Sequence, residues 1–238
     1  MKNAIVCLTR GYHNLRQYSN LIERNKAIKE FINKDNQYPL VIFHEGNIPE
    51  DHQDYITHFS EGQTIIFKDI SEVWVGGYES MCRFQTIHIW EYCKEYDYIM
   101  RIDEDCIITQ CITDPFSLVG DNVYLRSVYF AESHSETNAT LPQRIEELTG
   151  VNRLEFYNDK FVYTNVGLGS VKFWLQPEMY RLIKEIGMCK EQLENRWGDL
   201  PVLGSLLNIY AKGKVGSLLG LKYRHYSHNN EIDCNGID

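Results

Sequence analysis

The triplet Asp103-Glu104-Asp105 closes the run Tyr96-Asp97-Tyr98-Ile99-Met100-Arg101-Ile102, which has the length and composition of a buried strand. Carboxylates are therefore expected at the C-terminal end of a strand, where open α/β sheets bind ligands. On extended backbone, residues two apart face the same way, so Asp103 and Asp105 should share one site and Glu104 should point to the other side. Two carboxylates about 4 Å apart repel by roughly 4 kcal/mol at an effective dielectric near 20. A proton or a cation between them relieves this, and oxygen donors suit magnesium or manganese. The triplet also reads as an acidic surface turn in a chain with 33 Asp+Glu. A phosphatase using D-x-D as nucleophile and acid would carry it after the first strand of its fold, and here it follows a later one.

Other residues with chemical capacity are spread along the chain. Thr9-Arg10-Gly11 follows the first apolar strand, and Glu45 follows the second. Arg83 and Phe84 lie on an apolar helix, where packing and a surface ion pair explain them equally well. Asp199, in Arg196-Trp197-Gly198-Asp199-Leu200-Pro201, is either a functional acid or the N-cap of the next helix. His225 and His228 stand in Tyr223-Arg224-His225-Tyr226-Ser227-His228, as candidate ligands or solvated side chains.

The elements that must position these groups alternate. Strand-like runs at 4–8, 38–43 and 63–67 are separated by helix-like stretches at 18–32 and 49–59, so a βαβαβ beginning with parallel strands is expected. Apolar residues at helical spacing over 78–93 lead into the strand at 98–102. Beyond Pro115 come strands at 123–130 and 161–168, a polar, mobile stretch at 132–142, and helices at 177–186 and 196–210. The expected fold class is α/β, a Rossmann-type sandwich with a mainly parallel central sheet flanked by helices. One domain, 1–238, is expected, with a nucleotide-type half at 1–112 and a second half at 113–238 that builds the other wall of the cleft.

Composition narrows the function. With 238 residues, 43% of them hydrophobic, the chain supports one sizeable core. A net charge of -9 without any basic run argues against nucleic acid as a partner. Seven cysteines, an odd number without C-x-x-C spacing, fit reduced thiols in a reducing compartment. No apolar stretch approaches the roughly 20 residues of a membrane span. The first strand begins almost at Met1, so no signal peptide is expected and a cytoplasmic location is.

Four segments together resemble the fungal α-1,2-mannosyltransferases of glycosyltransferase family 15. They are Gly77-Tyr78-Glu79-Ser80-Met81-Cys82-Arg83-Phe84, Tyr98-Ile99-Met100-Arg101-Ile102-Asp103-Glu104-Asp105, Arg196-Trp197-Gly198-Asp199-Leu200-Pro201-Val202, and Tyr223-Arg224-His225. The resemblance implies a GT-A fold, GDP-mannose as nucleotide-sugar donor, Mn²⁺ (or Mg²⁺) as cofactor, and a glycan or glycoprotein acceptor. Position by position it implies that Asp103, where the family has Glu, and His225 bind the metal, with Asp105 beside them. Tyr78, Arg83 and Arg101 would line the donor site together with Thr9 and Arg10, and Asp199 would be the catalytic acid on the acceptor side.

Two departures stand out. Gly167, in Thr164-Asn165-Val166-Gly167, stands where the family carries a Glu discussed as nucleophile, so the covalent route does not transfer. The family's membrane anchor and stem have no counterpart, which suggests a soluble, virus- or microbe-encoded member. The expected activity is metal-dependent hexosyl transfer with retention; the alternative is a sugar- or nucleotide-binding protein that has lost turnover.

Overall fold

A computed structural model describes residues 1–158 and 160–235. Its strands are β1 (Asn3–Thr9), β2 (Leu40–His44), β3 (Ile65–Asp69), β4 (Tyr98–Ile102), β5 (Cys106–Cys111), β6 (Tyr124–Arg126), β7 (Tyr129–Phe130), β8 (Phe161–Val162), β9 (Val166–Ser170), β10 (Val215–Ser217), β11 (Leu221–His225) and β12 (Asn230–Asp233). Seven form the central sheet in the order β10-β6-β9-β4-β1-β2-β3. The β1, β2, β3 and β4 pairings are parallel, as expected from the crossovers α1 (Ser19–Phe31) and α2 (Glu50–Phe59). β9 alone runs against its neighbours β4 and β6. The result is a mainly parallel α/β sandwich.

Both faces of the sheet are covered, which explains why β1 and β2 are apolar throughout. Ala4 and Val6 of β1 face a cluster built with Phe84, Trp90, Leu141, Ile145, Trp174, Ile183 and Leu206. Ile5 faces a second cluster containing Ile28 of α1, Met100, Ile107 and Tyr223. Deep in α1, Arg24 is fully buried. Its guanidinium donates to the carbonyls of Ile102 (2.9 Å) and Val6 (3.2 Å) and to Asn25 Oδ1 (2.7 Å), tying β4 to β1 just before the acidic triplet.

Three expectations change. Residues 132–142 are not a mobile stretch but the first part of the helix Ser135–Thr149. Leu141, Ile145 and Leu148 recur at helical spacing on its packed side, and Gly150 ends it in the left-handed conformation (φ 70°). Pro142 inside the helix costs about 3 kcal/mol, against which Leu141 and Ile145 are fully buried and Thr137 Oγ1 donates to the carbonyls of Asn195 and Arg196.

The strands expected at 123–130 and 161–168 are each split. β6 and β9 stay in the central sheet, while β7 and β8 form a separate ribbon. The breaks fall at buried polar residues Ser127, Thr164 and Asn165, of which Ser127 and Asn165 have their side chains engaged sideways. Tyr223 Oη, for example, donates to Asn165 Oδ1 (3.0 Å) and to Ser127 Oγ (3.2 Å).

The helix expected at 78–93 is continuous but irregular: α-helical over Gly77–Arg83 and Ile89–Tyr92, with a π-helical turn at Phe84–His88 between them.

Leaving the Val6 and Ile102 carbonyls without a buried donor has a measurable cost. Arg24→Met should lower the unfolding free energy by about 2–3 kcal/mol, since each buried acceptor stranded costs about 1–3. Urea denaturation at neutral pH checks this, and a change below about 0.5 kcal/mol would mean the carbonyls do not depend on Arg24.

Candidate active site

The acidic triplet stands at the C-terminal end of β4, as expected, but as a turn and not as extended strand. β4 stops at Ile102, Asp103 N–H donates to the Asn165 carbonyl (2.9 Å), and Cys106 N–H donates back to the Asp103 carbonyl (3.0 Å). Alternation holds only for extended backbone, so the expectation that Glu104 points away fails. All three carboxylates line one cleft of about 670 Å³ at the C-terminal ends of β1 and β4. Glu104 accepts hydrogen bonds from Thr9 Oγ1 and from Tyr12 Oη (2.6 Å). Burial pushes its carboxyl above the ordinary range, although those two donors work the other way.

Arg101 is the centre of the charge arrangement. Its Nε and Nη2 grip Asp103 bidentately (2.7 and 3.0 Å), and its Nη1 donates to Asp199 Oδ2 at 2.5 Å. Burial alone would lower the arginine's pKa, but the two carboxylates hold it well above its ordinary value. Asp103 moves up through burial, opposed by Arg101 and reinforced by the charges of Asp199 and Asp105. Asp199 opens the helix Asp199–Tyr210, whose N-cap is Gly198. It is therefore not a helix cap; its side chain is spent on Arg101.

Asp105 turns to a different partner. Register pairs His225, the last residue of β11, with Cys106, the first of β5, which brings a histidine 120 residues away beside the triplet. Its Nε2 stands 3.4 Å from Asp105 Oδ2 and 3.0 Å from Ser227 Oγ. Burial would raise the Asp105 pKa, yet His225 and Ser227 hold it below the ordinary carboxylate range. Nδ1 lies 3.1 Å from Tyr163 Oη and 3.1 Å from Asn165 Nδ2. Asn165 Oδ1 accepts from Val166 N–H (2.9 Å) and Tyr223 Oη (3.0 Å), so its Nδ2–H donates to His225 Nδ1; the neutral imidazole then carries its proton on Nε2, facing Asp105, and a cation held by Nε2 would displace that proton.

Among the described residues, Asp105, Cys106 and His225 form the group whose donor atoms all lie within 4.8 Å of one another. Burial, with the charges of Asp103 and Asp105 adding to it, drives the Cys106 thiol well above its ordinary pKa, so a protonated sulfur faces what is otherwise an oxygen and imidazole site. The donor set that fits a hard divalent cation is Asp105 with His225. Asp103, expected as a ligand, has both oxygens engaged by Arg101.

Of the residues expected at the donor site, Thr9, Arg10, Tyr78 and Arg101 line the cleft with Glu45. Arg83 does not. Met81 and Gln85 line it, and Arg83 is two residues from each, about 200° round the helix. It donates to the Gly187 carbonyl (2.8 Å) and Gln192 Oε1 (3.2 Å), fastening its helix to Pro177–Gly187. No signal in the sequence pointed to Tyr12, Tyr163 or Gln85. Each is an ordinary core or loop residue by type, and only pairing across the fold places it here.

Gly167 pairs with Arg101 across β9 and β4. A Cβ built there would meet Tyr124 Oη at 2.1 Å. The tyrosine hydroxyl thus occupies the space that a side chain at this position would fill. Burial raises its pKa, with Arg101 opposing and Asp199 and Asp103 adding.

The fold is GT-A-like, one it shares with solved glycosyltransferases. The Saccharomyces cerevisiae mannosyltransferase Ktr4p superposes with a TM-score of 0.78 at 16% identity, over 94% of this chain and 70% of that one; in complex with GDP it gives 0.79. Core-mannan synthase A (CmsA/Ktr4) from Aspergillus fumigatus, in its Mn/GDP form, gives 0.74 at 15% identity, over 94% and 74%. Mouse xyloside xylosyltransferase 1 gives 0.59 at 12% identity, over 92% and 85%. The sequence matches no family model and no curated protein.

Removing the shared cation isolates its contribution. Arg101→Met should destabilise the protein by about 3–5 kcal/mol near neutral pH, because two buried carboxylates lose their partner. The loss should shrink as pH falls towards 5 and below, where Asp103, already raised by burial, takes up a proton and no longer needs one. Urea unfolding of wild type and variant at pH 7.5 and 5 measures both, and an equal loss at the two pH values would contradict the ionic origin.

Proposed function

We propose that the protein is a metal-dependent glycosyltransferase that moves a hexose from a nucleoside diphosphate sugar to a hydroxyl of a glycan or glycoprotein. The observation that carries this reading is the Asp105–His225 pair, whose Asp105 lines the cleft at the strand ends next to an arginine fixed by two acids. Asp105 and His225 would hold Mn²⁺ or Mg²⁺, with Asp103 adjacent, and the cation would supply charge neutralisation for a departing diphosphate. The likeness in fold to two GDP-complexed mannosyltransferases favours GDP-mannose as donor.

The chain's own residues divide the remaining work. Arg101 keeps a fixed positive charge beside the acidic turn, and Thr9, Arg10 and Tyr78 offer polar and aromatic contacts along the cleft. Tyr124 excludes a carboxylate at position 167, which disfavours a covalent glycosyl intermediate there. Front-face transfer with retention is the route consistent with that packing, the acceptor proton passing to the leaving phosphate. Asp199 then acts by holding Arg101. A second reading, a nucleotide-sugar binder without turnover, is favoured by the same two facts: no side chain at 167, and Asp199 committed to an ion pair.

Among the described residues no helix is long and apolar enough to cross a membrane. All seven cysteines are free, and this supports a reducing, cytoplasmic setting for the reaction.

Calorimetry with GDP-, UDP- and CDP-sugars, with Mn²⁺ and after EDTA, tests the function. One donor should bind only with metal, and His225→Ala and Asp105→Asn should each weaken Mn²⁺ binding by about 10-fold or more. Asp199→Asn, which loosens the grip on Arg101, should lower transfer by roughly 100-fold through misplacement of that guanidinium. Nucleotide release without transfer, or binding without release, separates the enzyme from the binder, and metal-independent binding of the true donor rejects the metal assignment.

A further inference from the structure

Behind the cleft lies a second, much smaller cavity of about 20 Å³. That volume holds a single oxygen-sized group, one water or one hydroxyl. Gln85 and Arg101 line both the cleft and this cavity, whose wall also carries Tyr124, Thr164 and the bare backbone of Gly167. Gln85 is 3% exposed, and its Oε1 has no hydrogen-bond partner among the described residues. Buried acceptors are nearly always paired, so one left open at the mouth of a ligand-sized cleft signals a partner that arrives with the ligand.

The backbone agrees. Gln85 sits in the π-helical turn Phe84–His88, and single π-turns within α-helices are frequent at functional sites. Met81 and Gln85, four residues apart on one face of the helix, reach the cleft while Phe84 and Ile87 stay in the core.

We infer that Gln85 is a specificity-determining residue of the donor site, its carboxamide oxygen accepting a hydrogen bond from one hydroxyl of the transferred hexose as that hydroxyl enters the small cavity. This rests on the glycosyltransferase reading. On that reading the nucleotide would lie along Thr9, Arg10 and Glu45, at the ends of β1 and β2, and the sugar would lie towards Gln85. Arg101, already committed to Asp103 and Asp199, adds positive potential at the same wall.

The test compares wild type, Gln85→Leu and Gln85→Met by calorimetry with Mn²⁺ and three probes: GDP, GDP-mannose, and the singly deoxygenated GDP-mannoses. The two variants should bind GDP within about twofold of wild type and GDP-mannose at least about tenfold more weakly, because a lost donor–acceptor pair in a buried site discriminates strongly. One deoxy donor should lose the same factor with wild type and lose nothing further with the variants, as pairs that interact directly do in a double-mutant cycle. The free variants should melt within about 3 °C of wild type, since their Gln85 oxygen has no partner to lose. A larger fall in melting temperature would assign Gln85 to structure and overturn the inference. Equal GDP-mannose affinity in wild type and both variants would overturn it alone, as a trapped water in the cavity would produce. Failure of wild type to bind any nucleotide sugar would overturn the glycosyltransferase reading and this inference together.

Discussion

The structure depends on one guanidinium. Arg101 takes three hydrogen bonds' worth of carboxylate from two different regions, Asp103 on the turn after β4 and Asp199 at the start of a helix almost a hundred residues later. Two acids and one cation leave that corner one negative charge in excess. Burying such a group is costly unless it is well paired, and here three of its five N–H groups find carboxylate oxygens. The bidentate grip on Asp103 also explains the division of labour in the turn: the first acid is held for positioning, and the third is free to face His225.

A second constraint works through backbone register. β5 returns immediately from the acidic turn and pairs with β11, so Cys106 and His225 must stand opposite each other. That pairing delivers the imidazole to Asp105 without any local sequence signal. Arg24 supports the same turn from beneath by holding the Ile102 and Val6 carbonyls. The acidic turn is thereby fixed from below by α1, from one side by the second sheet, and from the other by Arg101.

The Gly167–Tyr124 contact gives this site its particular character. Tyr124 reaches diagonally from β6 to the Gly167 position on β9, within the range of cross-strand neighbours two residues out of register. A neutral hydroxyl there, beside Arg101, changes what the inner wall offers a sugar. It supplies a polar contact where a carboxylate would supply a nucleophile, and it leaves room for one further oxygen in the adjoining cavity.

Local pattern alone determined the βαβαβ opening, the helix before the acidic triplet, the apolar helix after Trp197 and the placement of carboxylates at the end of β4, because hydrophobic period and strand length are properties of short segments. The motifs around Tyr78, Arg101, Asp199 and His225 were legible as types of residue at known distances along the chain. What the tertiary structure decided was their partners. Asp103, a metal ligand by resemblance, is also gripped by Arg101; Arg83, a donor contact by resemblance, turns instead to the Gly187 carbonyl; and residues 132–142 read as loop because a proline and polar side chains hide an apolar stripe. In each case the outcome turned on a group far away in sequence, a carboxylate, a carbonyl or a buried surface, whose position exists only once the sheet has closed.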